Sequence, residues 1–267
     1  MWLLWILSLA ASFLLPATGE VVNNFRPCKE FFLDGKPPTL KPMDPARICQ
    51  FYQGKYRFAT MYDRKGRIPT FSAYKYQTGE GRRDEQWKIE PQLALPMKRS
   101  RKSMELEKDC EIDRDLLKNS QAVFEDYGHS VYDRGHLLPV LHQPDQDSKD
   151  ATFTLTNIVP QLRQLNQGKW AEYERSMNKS TRGCRHTYVL VGAVPGNKTL
   201  NKRVKIPSHI WAAACCVTQG NRKRSWGVIA ENNQNHTVHS SLKQLEMKLA
   251  IHYRKKEINL FNRACYS

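Results

Sequence analysis

Apolar runs with the length and alternation of β-strands recur along most of this chain, and they limit the folds it can adopt. Residues 187–194 (TYVLVGAV) form the clearest run, and residues 56–62 and 70–76 form a pair joined by the polar turn DRKGR. Further strands are predicted at residues 150–159, 210–217 and 226–230, and helices at residues 166–177 and 241–252. Because strands and helices are interleaved without a regular βαβ rhythm, the pattern predicts an α+β fold with a mainly antiparallel central sheet flanked by helices.

The domain organisation follows from length and composition. The 267 residues are 40% hydrophobic, which excludes a disordered or collagen-like chain, and they show no internal repeat or long linker. We expect one main domain at residues 55–267. An irregular, proline-rich segment at residues 20–54 precedes it and contains Cys28 and Cys49, which are expected to clamp it with a disulfide.

The chain is strongly basic, with 42 Lys and Arg residues against 26 Asp and Glu residues and a net charge of +16. Such an excess predicts a polyanionic partner: a nucleic acid, a heparin-like sugar or an anionic membrane. Charge alone does not choose among these partners. A basic run within residues 98–102 is equally compatible with a solvated loop and with a phosphate-binding track.

The N-terminus begins with a short, uncharged and mainly apolar segment followed by small residues. This pattern predicts a secretory signal peptide at residues 1–19, and a buried N-terminal helix is the alternative. Sequons at Asn178, Asn197 and Asn235 support secretion. No later run approaches about 18 apolar residues, so we expect an extracellular protein without a membrane anchor.

The seven cysteines of a secreted chain are expected to be oxidised, with one left free or paired between molecules. Cys215 and Cys216 lie in a strand-like run, so their side chains should point to opposite faces. One of them is then a candidate buried thiol and the other a disulfide partner. The cysteine spacing does not fit a zinc site and does not determine the pairing.

Polar residues suited to phosphodiester hydrolysis are concentrated in the segments YDRGH, TNIVPQ and LNQGKWAEYE. Such hydrolysis requires a base that works near neutral pH, a cation that offsets charge on the phosphate, and a group that clamps phosphate oxygens. In principle His136 supplies the base, Asn166 an oxygen ligand for a hard cation, and Arg134 the clamp.

Asn166, Trp170 and Glu174 are four residues apart, so on a helix they share one face. An amide oxygen, a packing ring and a carboxylate would then face one cleft. Simpler interpretations are also open. The DRGH tetrapeptide can form a turn with a surface ion pair, Trp170 can be a core residue, and Glu174 can be a solvated helix residue.

These three segments, in this order and spacing, resemble the DNA/RNA non-specific endonuclease family. The resemblance extends to RRDEQWKIEP at residues 82–91 and to the segments VLVGAVP and IPSHIW, and it covers roughly residues 55–265. It implies a ββα-metal (His-Me finger) nuclease fold, with His136 on a strand and Asn166 on the following helix, inside a larger α+β domain.

The resemblance also implies roles for individual residues. His136 matches the general base, and Asn166 matches the single protein ligand of a Mg²⁺ ion, which Mn²⁺ can replace. Glu174 matches the helical carboxylate that reaches metal-bound water. Arg134 matches the arginine of the histidine motif.

An upstream arginine near the phosphate corresponds to Arg82 or Arg83, and the sequence does not decide which. We expect Arg83 to take part in catalysis and Arg82 and Asn157 to lie on the substrate side. Asn157 matches an asparagine beside the site that also helps to fix the core.

The chain departs from the family pattern at one position. Where well-known members carry an arginine one helical turn after the glutamate, this chain has Asn178, which begins a sequon. A glycan there would lie near the cleft mouth and a positive phosphate contact would be missing. Arg175 or Arg182 is a candidate replacement.

The sequence therefore predicts a secreted, sugar-non-specific endonuclease that hydrolyses DNA and RNA with one Mg²⁺ ion and a histidine base. Contacts to the backbone of the nucleic acid should dominate binding and give little sequence preference. The alternative is a catalytically silent extracellular protein that binds nucleic acid or heparan-like polyanions. The sequence leaves open whether the chain forms homo-oligomers.

Overall fold

The computed structural model describes residues 21–96, 103–128 and 130–266. The predicted signal peptide and the whole basic run at residues 98–102 lie outside these residues. Within them, no helix is both long and apolar enough to cross a membrane.

An eight-stranded antiparallel sheet forms the centre of the fold, in the order β1-β2-β3-β4-β9-β10-β11-β12. Its strands are β1 Val21–Val22, β2 Pro45–Tyr52, β3 Lys55–Asp63, β4 Ile68–Lys75, β9 Cys184–Leu200, β10 Val204–Thr218, β11 Lys223–Glu231 and β12 Val238–Ser240. Two smaller antiparallel sheets pair β5 Lys88–Ile89 with β6 Glu105–Leu106 and β7 Tyr132–His136 with β8 Ile158–Leu162. The predicted α+β class with an antiparallel central sheet is confirmed.

The α-helices are short and lie on both sides of this sheet. They are α1 Pro91–Ala94, α2 Arg114–Ser120, α3 Gln146–Ala151, α4 Arg163–Gln167, α5 Lys169–Ser180 and α6 Leu242–His252. Ser241 caps α6 by accepting a hydrogen bond from the backbone N–H of Gln244, whose side-chain Oε1 in turn accepts one from the backbone N–H of Ser241. This capping box explains why the predicted second helix begins where it does.

Side chains of β10 alternate between two cores, one on each face of the sheet. Ile210 and Ala212 pack with the residues under β7, β8 and α5, whereas Trp211 and Ala213 pack with α6 and the N-terminal segment. Gly192 on β9 makes room for the Trp211 ring, because a Cβ at this position would lie 2.3 Å from it. The central strand therefore supports the α4–α5 layer on one side and a separate apolar layer on the other.

Among the residues that the structure describes, three disulfides are present, and two of them involve neighbouring cysteines of β10 that point to opposite faces of the sheet. The three pairs are Cys28–Cys49, Cys184–Cys216 and Cys215–Cys265. The predicted Cys28–Cys49 clamp is confirmed, and closing a loop of this size stabilises a chain by about 3 kcal/mol. Cys215 and Cys216 do point to opposite faces, but the expectation that one of them is a thiol is wrong, because each has a disulfide partner. The seventh cysteine is the half-buried Cys110.

Two segments differ from their predicted secondary structure. Residues 150–159 do not form one strand: α3 ends at Ala151, a turn follows, and β8 begins only at Ile158. The apolar residues Ala151, Phe153 and Leu155 alternate with threonines and so imitate a strand pattern, but the structure buries the threonines as well. The helix expected at residues 166–177 is two helices, α4 and α5, interrupted at Gly168.

The N-terminal segment is also more regular than predicted. Residues 20–54 were expected to be irregular, yet β2 lies within them and pairs with β3 along its whole length. Ile48 and Cys49 of β2 are fully buried.

Candidate active site

The candidate site is built on a ββα unit in which β7 and β8 pair and α4 and α5 follow. His136 is the last residue of β7 and lies opposite Ile158 of β8. Gly135 permits the close packing of this hairpin, because a Cβ there would lie 2.3 Å from Oε1 of Gln161 and 2.5 Å from its Cβ. The DRGH segment is thus a strand end rather than a surface turn, and Asn166 lies on the helix that follows.

A cleft of about 870 Å³ opens over this unit. Six of the seven predicted site residues line it: Arg82, Arg83, Arg134, His136, Asn166 and Glu174. They come from the loop before β5, from β7, from α4 and from α5. The fold therefore brings together residues that span more than ninety positions of the sequence.

His136 forms the buried floor of this cleft and is only 8% exposed. Its ring hydrogen-bonds to the backbone of Arg134, while Nε2 has no hydrogen-bond partner among the described residues. The bond to Arg134 is therefore made by Nδ1, which leaves the lone pair of Nε2 available. Trp87 and Phe153 pack their rings against the imidazole at centroid distances of 5.8 and 5.0 Å.

The electrostatic environment keeps His136 neutral. Burial lowers the pKa of His136 to about 3, and the positive charges of Arg83 and Arg134 act in the same direction. A neutral imidazole with an unpaired Nε2 can accept a proton.

Asn166 is oriented by the carboxylate of Asp133. Its Nδ2 donates to Oδ2 of Asp133 at 3.0 Å, and Gln167 and Arg163 donate to the same carboxylate at 2.9 Å each. Burial raises the pKa of Asp133, but these hydrogen bonds outweigh burial and lower it overall. With Nδ2 fixed, Oδ1 of Asn166 is the atom of the amide that is free to bind a hard cation.

The arrangement fits a divalent cation held by few protein groups. Mg²⁺ prefers oxygen ligands and keeps several waters, and an amide oxygen beside a carboxylate supplies suitable chemistry. Groups of three or more His, Cys, Asp or Glu side chains placed to hold a metal are not found in the described part of the chain. A site with one amide ligand does not require such a group.

Glu174 lies on α5 in the wall of the cleft and is half-buried. Burial raises the pKa of Glu174 to about 8, against the lowering effect of Arg175 and Arg83. Its backbone carbonyl accepts a hydrogen bond from Nε2 of the buried His142, whose Nδ1 accepts one from the Tyr74 hydroxyl. Glu174 is therefore a half-buried residue of the cleft wall rather than a solvated one, whereas Trp170 is a core residue, 1% exposed.

The arginines of the cleft are held in different ways. The Arg134 guanidinium lies between the rings of Trp87 and Phe124, at 4.9 and 4.4 Å from their centroids. Arg83 stacks on Phe153 and donates to Glu85 at 2.7 Å.

Arg82 and Arg83 differ in how they act on the other residues of the candidate site. The positive charge of Arg83 acts on both His136 and Glu174, whereas Arg82 is anchored through its backbone to the side chain of Gln146. Both side chains are exposed along the cleft.

Asn157 is the one predicted site residue that does not line the cleft. It is fully buried. Its Oδ1 accepts bonds from Ser72 and from the backbone N–H of Leu138, and its Nδ2 donates to the carbonyls of Leu138 and Thr152. A direct contact with substrate does not fit this position. Asn157 instead fastens the segment that directly follows His136.

Asn178 is exposed on α5, one turn beyond Glu174, as the sequence predicts. Of its two candidate replacements, Arg175 lines the cleft. The backbone carbonyl of Arg182 instead accepts a bond from Arg224 at the far end of α5.

The role of Asp133 was missed at the level of sequence. It lies inside YDRGH, but its importance depends on three donors that arrive from α4 and its N-terminus. Its place within the motif is the only signal that the sequence offers for this role.

Comparisons with known proteins agree with this geometry. The sequence model of the family described as DNA/RNA non-specific endonuclease matches residues 36–264, so the chain belongs to that family. It is 32% identical over 209 residues to endonuclease domain-containing 1 protein of Homo sapiens and 34% identical over 219 residues to that of Mus musculus, covering 76% and 79% of this chain. It spans only 41% and 42% of the length of these two relatives.

A shorter match and a solved structure extend the comparison. The chain is 40% identical over 68 residues to mitochondrial endonuclease G of Homo sapiens, which is 25% of this chain and 23% of that protein. A crystal structure of an EndoG/EndoGI complex superposes with a TM-score of 0.54 at 18% identity, covering 74% of this chain and 83% of that one. This likeness shows a shared fold.

Proposed function

We propose that this protein is a secreted, metal-dependent endonuclease that hydrolyses the phosphodiester bonds of DNA and RNA. The observation that carries the proposal is the unpaired, neutral Nε2 of His136 in the same cleft as the oriented amide of Asn166. Family membership supports the class of reaction, and the cleft supplies the groups that the reaction needs.

In this proposal His136 takes a proton from the attacking water at Nε2. A pKa near 3 makes a weak base, but part of that lowering comes from Arg83 and Arg134. A bound phosphate would neutralise these two charges and raise the basicity of the imidazole when substrate is present. The base would then be strongest in the complex that reacts.

The arginines would hold the phosphate. Arg134 is pre-oriented by its two aromatic neighbours, and a guanidinium can bind two phosphate oxygens at once. Arg83 and Arg175 extend the positive surface on either side. Contacts of this kind carry no sequence information, which supports action on both DNA and RNA with little sequence preference.

Asn166 would hold the cation through Oδ1, with Asp133 fixing the orientation of the amide. A single Mg²⁺ ion, or Mn²⁺ in its place, would supply the positive charge that offsets charge on the phosphate. Glu174 lies on the same wall, where its carboxyl group, kept protonated near neutral pH by burial, would hold and orient a water molecule.

Secretion is supported by the three disulfides, which persist in oxidising compartments. Asn178 and Asn197 are exposed and accessible to a glycan. The net charge of +16 would favour binding of extracellular nucleic acid.

Degradation of plasmid DNA and of RNA by the purified protein, with Mg²⁺ or with EDTA, tests the proposal. We expect cleavage only with the metal, and its loss in His136→Ala. His186→Ala, which removes an exposed histidine on β9, is the matched control and should retain activity. Salt-sensitive nucleic-acid binding without any cleavage would instead establish the silent binding protein.

A further inference from the structure

At the break between α4 and α5, a residue from a loop distant in sequence hydrogen-bonds to the first residue of α5. The side-chain Oδ1 of Asn235 accepts a hydrogen bond of 2.7 Å from the backbone N–H of Lys169, the first residue of α5. Asn235 lies in the connection between β11 and β12, 66 positions further along the chain.

This contact replaces a cap that the local sequence does not provide. The first N–H groups of a helix have no partner inside the helix, and a side-chain oxygen normally satisfies one of them. The residue before α5 is Gly168, which has no side chain to do so. A Cβ on Gly168 would lie 2.4 Å from Oδ1 of Asn235, so glycine is also what allows Asn235 to approach.

The same connection fixes the other end of α4. Oδ1 of Asn232 accepts a bond of 2.8 Å from the backbone N–H of Leu162, and its Nδ2 donates to the carbonyls of Pro160 and Pro207. Asn232 is 5% exposed. The β11–β12 connection therefore holds the chain on both sides of α4, which carries Asn166.

We propose that Asn235 is a positioning residue that sets α5, and with it Glu174, relative to Asn166. The inference rests on the proposed nuclease function of this cleft. Asn235 touches neither the cleft nor a reacting group, and it acts through the start of α5. A shift of about 1 Å in such a site can reduce the rate about 100-fold.

The position has a consequence for the sequon that begins at Asn235. Its Nδ2, the atom that a glycan would modify, lies 2.7 Å from where a Cβ of Gly168 would be. A sugar attached there would crowd the junction of α4 and α5. We therefore expect Asn235 to be unmodified in the active protein, although its side chain is exposed, as those of Asn178 and Asn197 are.

Three variants separate capping from glycosylation. Asn235→Ala removes both the cap and the sequon, Asn235→Asp removes the sequon but keeps a capping oxygen, and Thr237→Ala removes only the sequon. We expect kcat to fall about 10- to 100-fold in Asn235→Ala with KM nearly unchanged. The other two variants should stay within about twofold of the wild type, because an aspartate is also a good cap.

Hydrogen exchange of the backbone amides at the start of α5 gives a readout that does not depend on activity. Protection of the Lys169 amide should be lost in Asn235→Ala and kept in Asn235→Asp. Unchanged exchange and unchanged kcat in Asn235→Ala would overturn the inference, as would an equal loss of kcat in Thr237→Ala. A wild-type protein without nuclease activity would overturn the proposed function, and the exchange measurement would then still decide whether Asn235 caps α5.

Discussion

The carboxylate of Asp133 accepts a hydrogen bond of 3.0 Å from the side-chain amide of Asn166. This bond determines which atom of Asn166 faces the cleft, because the nitrogen is committed to Asp133 and the oxygen is not. Asp133 lies on the strand that carries His136, whereas Asn166 lies on the helix that follows. The contact therefore links the two halves of the candidate site.

Replacement of this carboxylate should weaken cation binding. In Asp133→Asn the three donors lose their shared anionic acceptor and Asn166 loses its fixed orientation. We expect the affinity for Mg²⁺ or Mn²⁺ to fall about 10- to 100-fold, as is typical when a partner of a metal ligand is lost. Isothermal titration calorimetry with the metal ion alone, without nucleic acid, measures this affinity.

Glu172→Gln is the control for this experiment, since Glu172 is an exposed carboxylate on α5 paired with Lys169. It should leave the affinity unchanged. An Asp133→Asn protein that binds the metal as tightly as the wild type would show that metal affinity does not depend on the bond between Asp133 and Asn166.

Arg82 and Arg83 offer a matched pair. The charge of Arg83 acts on both His136 and Glu174, so Arg83→Ala should lower kcat/KM about 100-fold, in the range seen when one preorganised electrostatic contact is removed. Arg82→Ala removes an adjacent arginine with similar exposure and should cost less than about fivefold. Initial rates of cleavage of a short DNA duplex at a fixed salt concentration give both values of kcat/KM. A larger loss in Arg82→Ala than in Arg83→Ala would contradict the assignment of Arg83 as the arginine that takes part in catalysis.

Buried histidines should make stability depend on pH. Burial lowers the pKa of His136 to about 3 and that of His142 to about 4, below the value near 6.5 expected in an unfolded chain. The unfolded state therefore binds more protons below pH 6.5, and the free energy of unfolding falls as the pH falls. Each histidine contributes a slope of at most about 1.4 kcal/mol per pH unit in this window.

Urea unfolding between pH 7 and pH 5, with the disulfides intact, measures this slope. Glu174, whose raised pKa of about 8 gives a slope of the opposite sign, titrates in the same window. His142→Gln should therefore lower the net slope by up to about 1.4 kcal/mol per pH unit, whatever its effect on stability at pH 7. An unchanged slope in this variant would show that His142 is not protonated on unfolding in this range.

Features dictated by local sequence were predictable. The long apolar runs became β9 and β10, and the alternation of side chains placed Cys215 and Cys216 on opposite faces. The segments of the candidate site were predicted from residue type, order and the family resemblance, and the cleft brings His136, Asn166 and Glu174 together as expected.

Features that depend on distant contacts were not predictable. The break at Gly168 is stabilised by Asn235, and the burial of Asn157 depends on partners in β4 and in the segment after His136. Residues 150–159 carry a misleading signal, because apolar residues alternate with threonines as in a strand although every residue from 151 to 159 is buried. Nothing in the local sequence distinguishes these cases.

The measurement that tests the central claim most directly is chemical rescue of His136→Gly. Single-turnover nicking of plasmid DNA with Mg²⁺ would be followed as imidazole is added. If His136 is the base, the variant should be nearly inactive alone and its rate should rise with the concentration of neutral imidazole. A wild-type rate without imidazole, or no rescue in a variant that still binds DNA and metal normally, would contradict the assignment of His136 as the base.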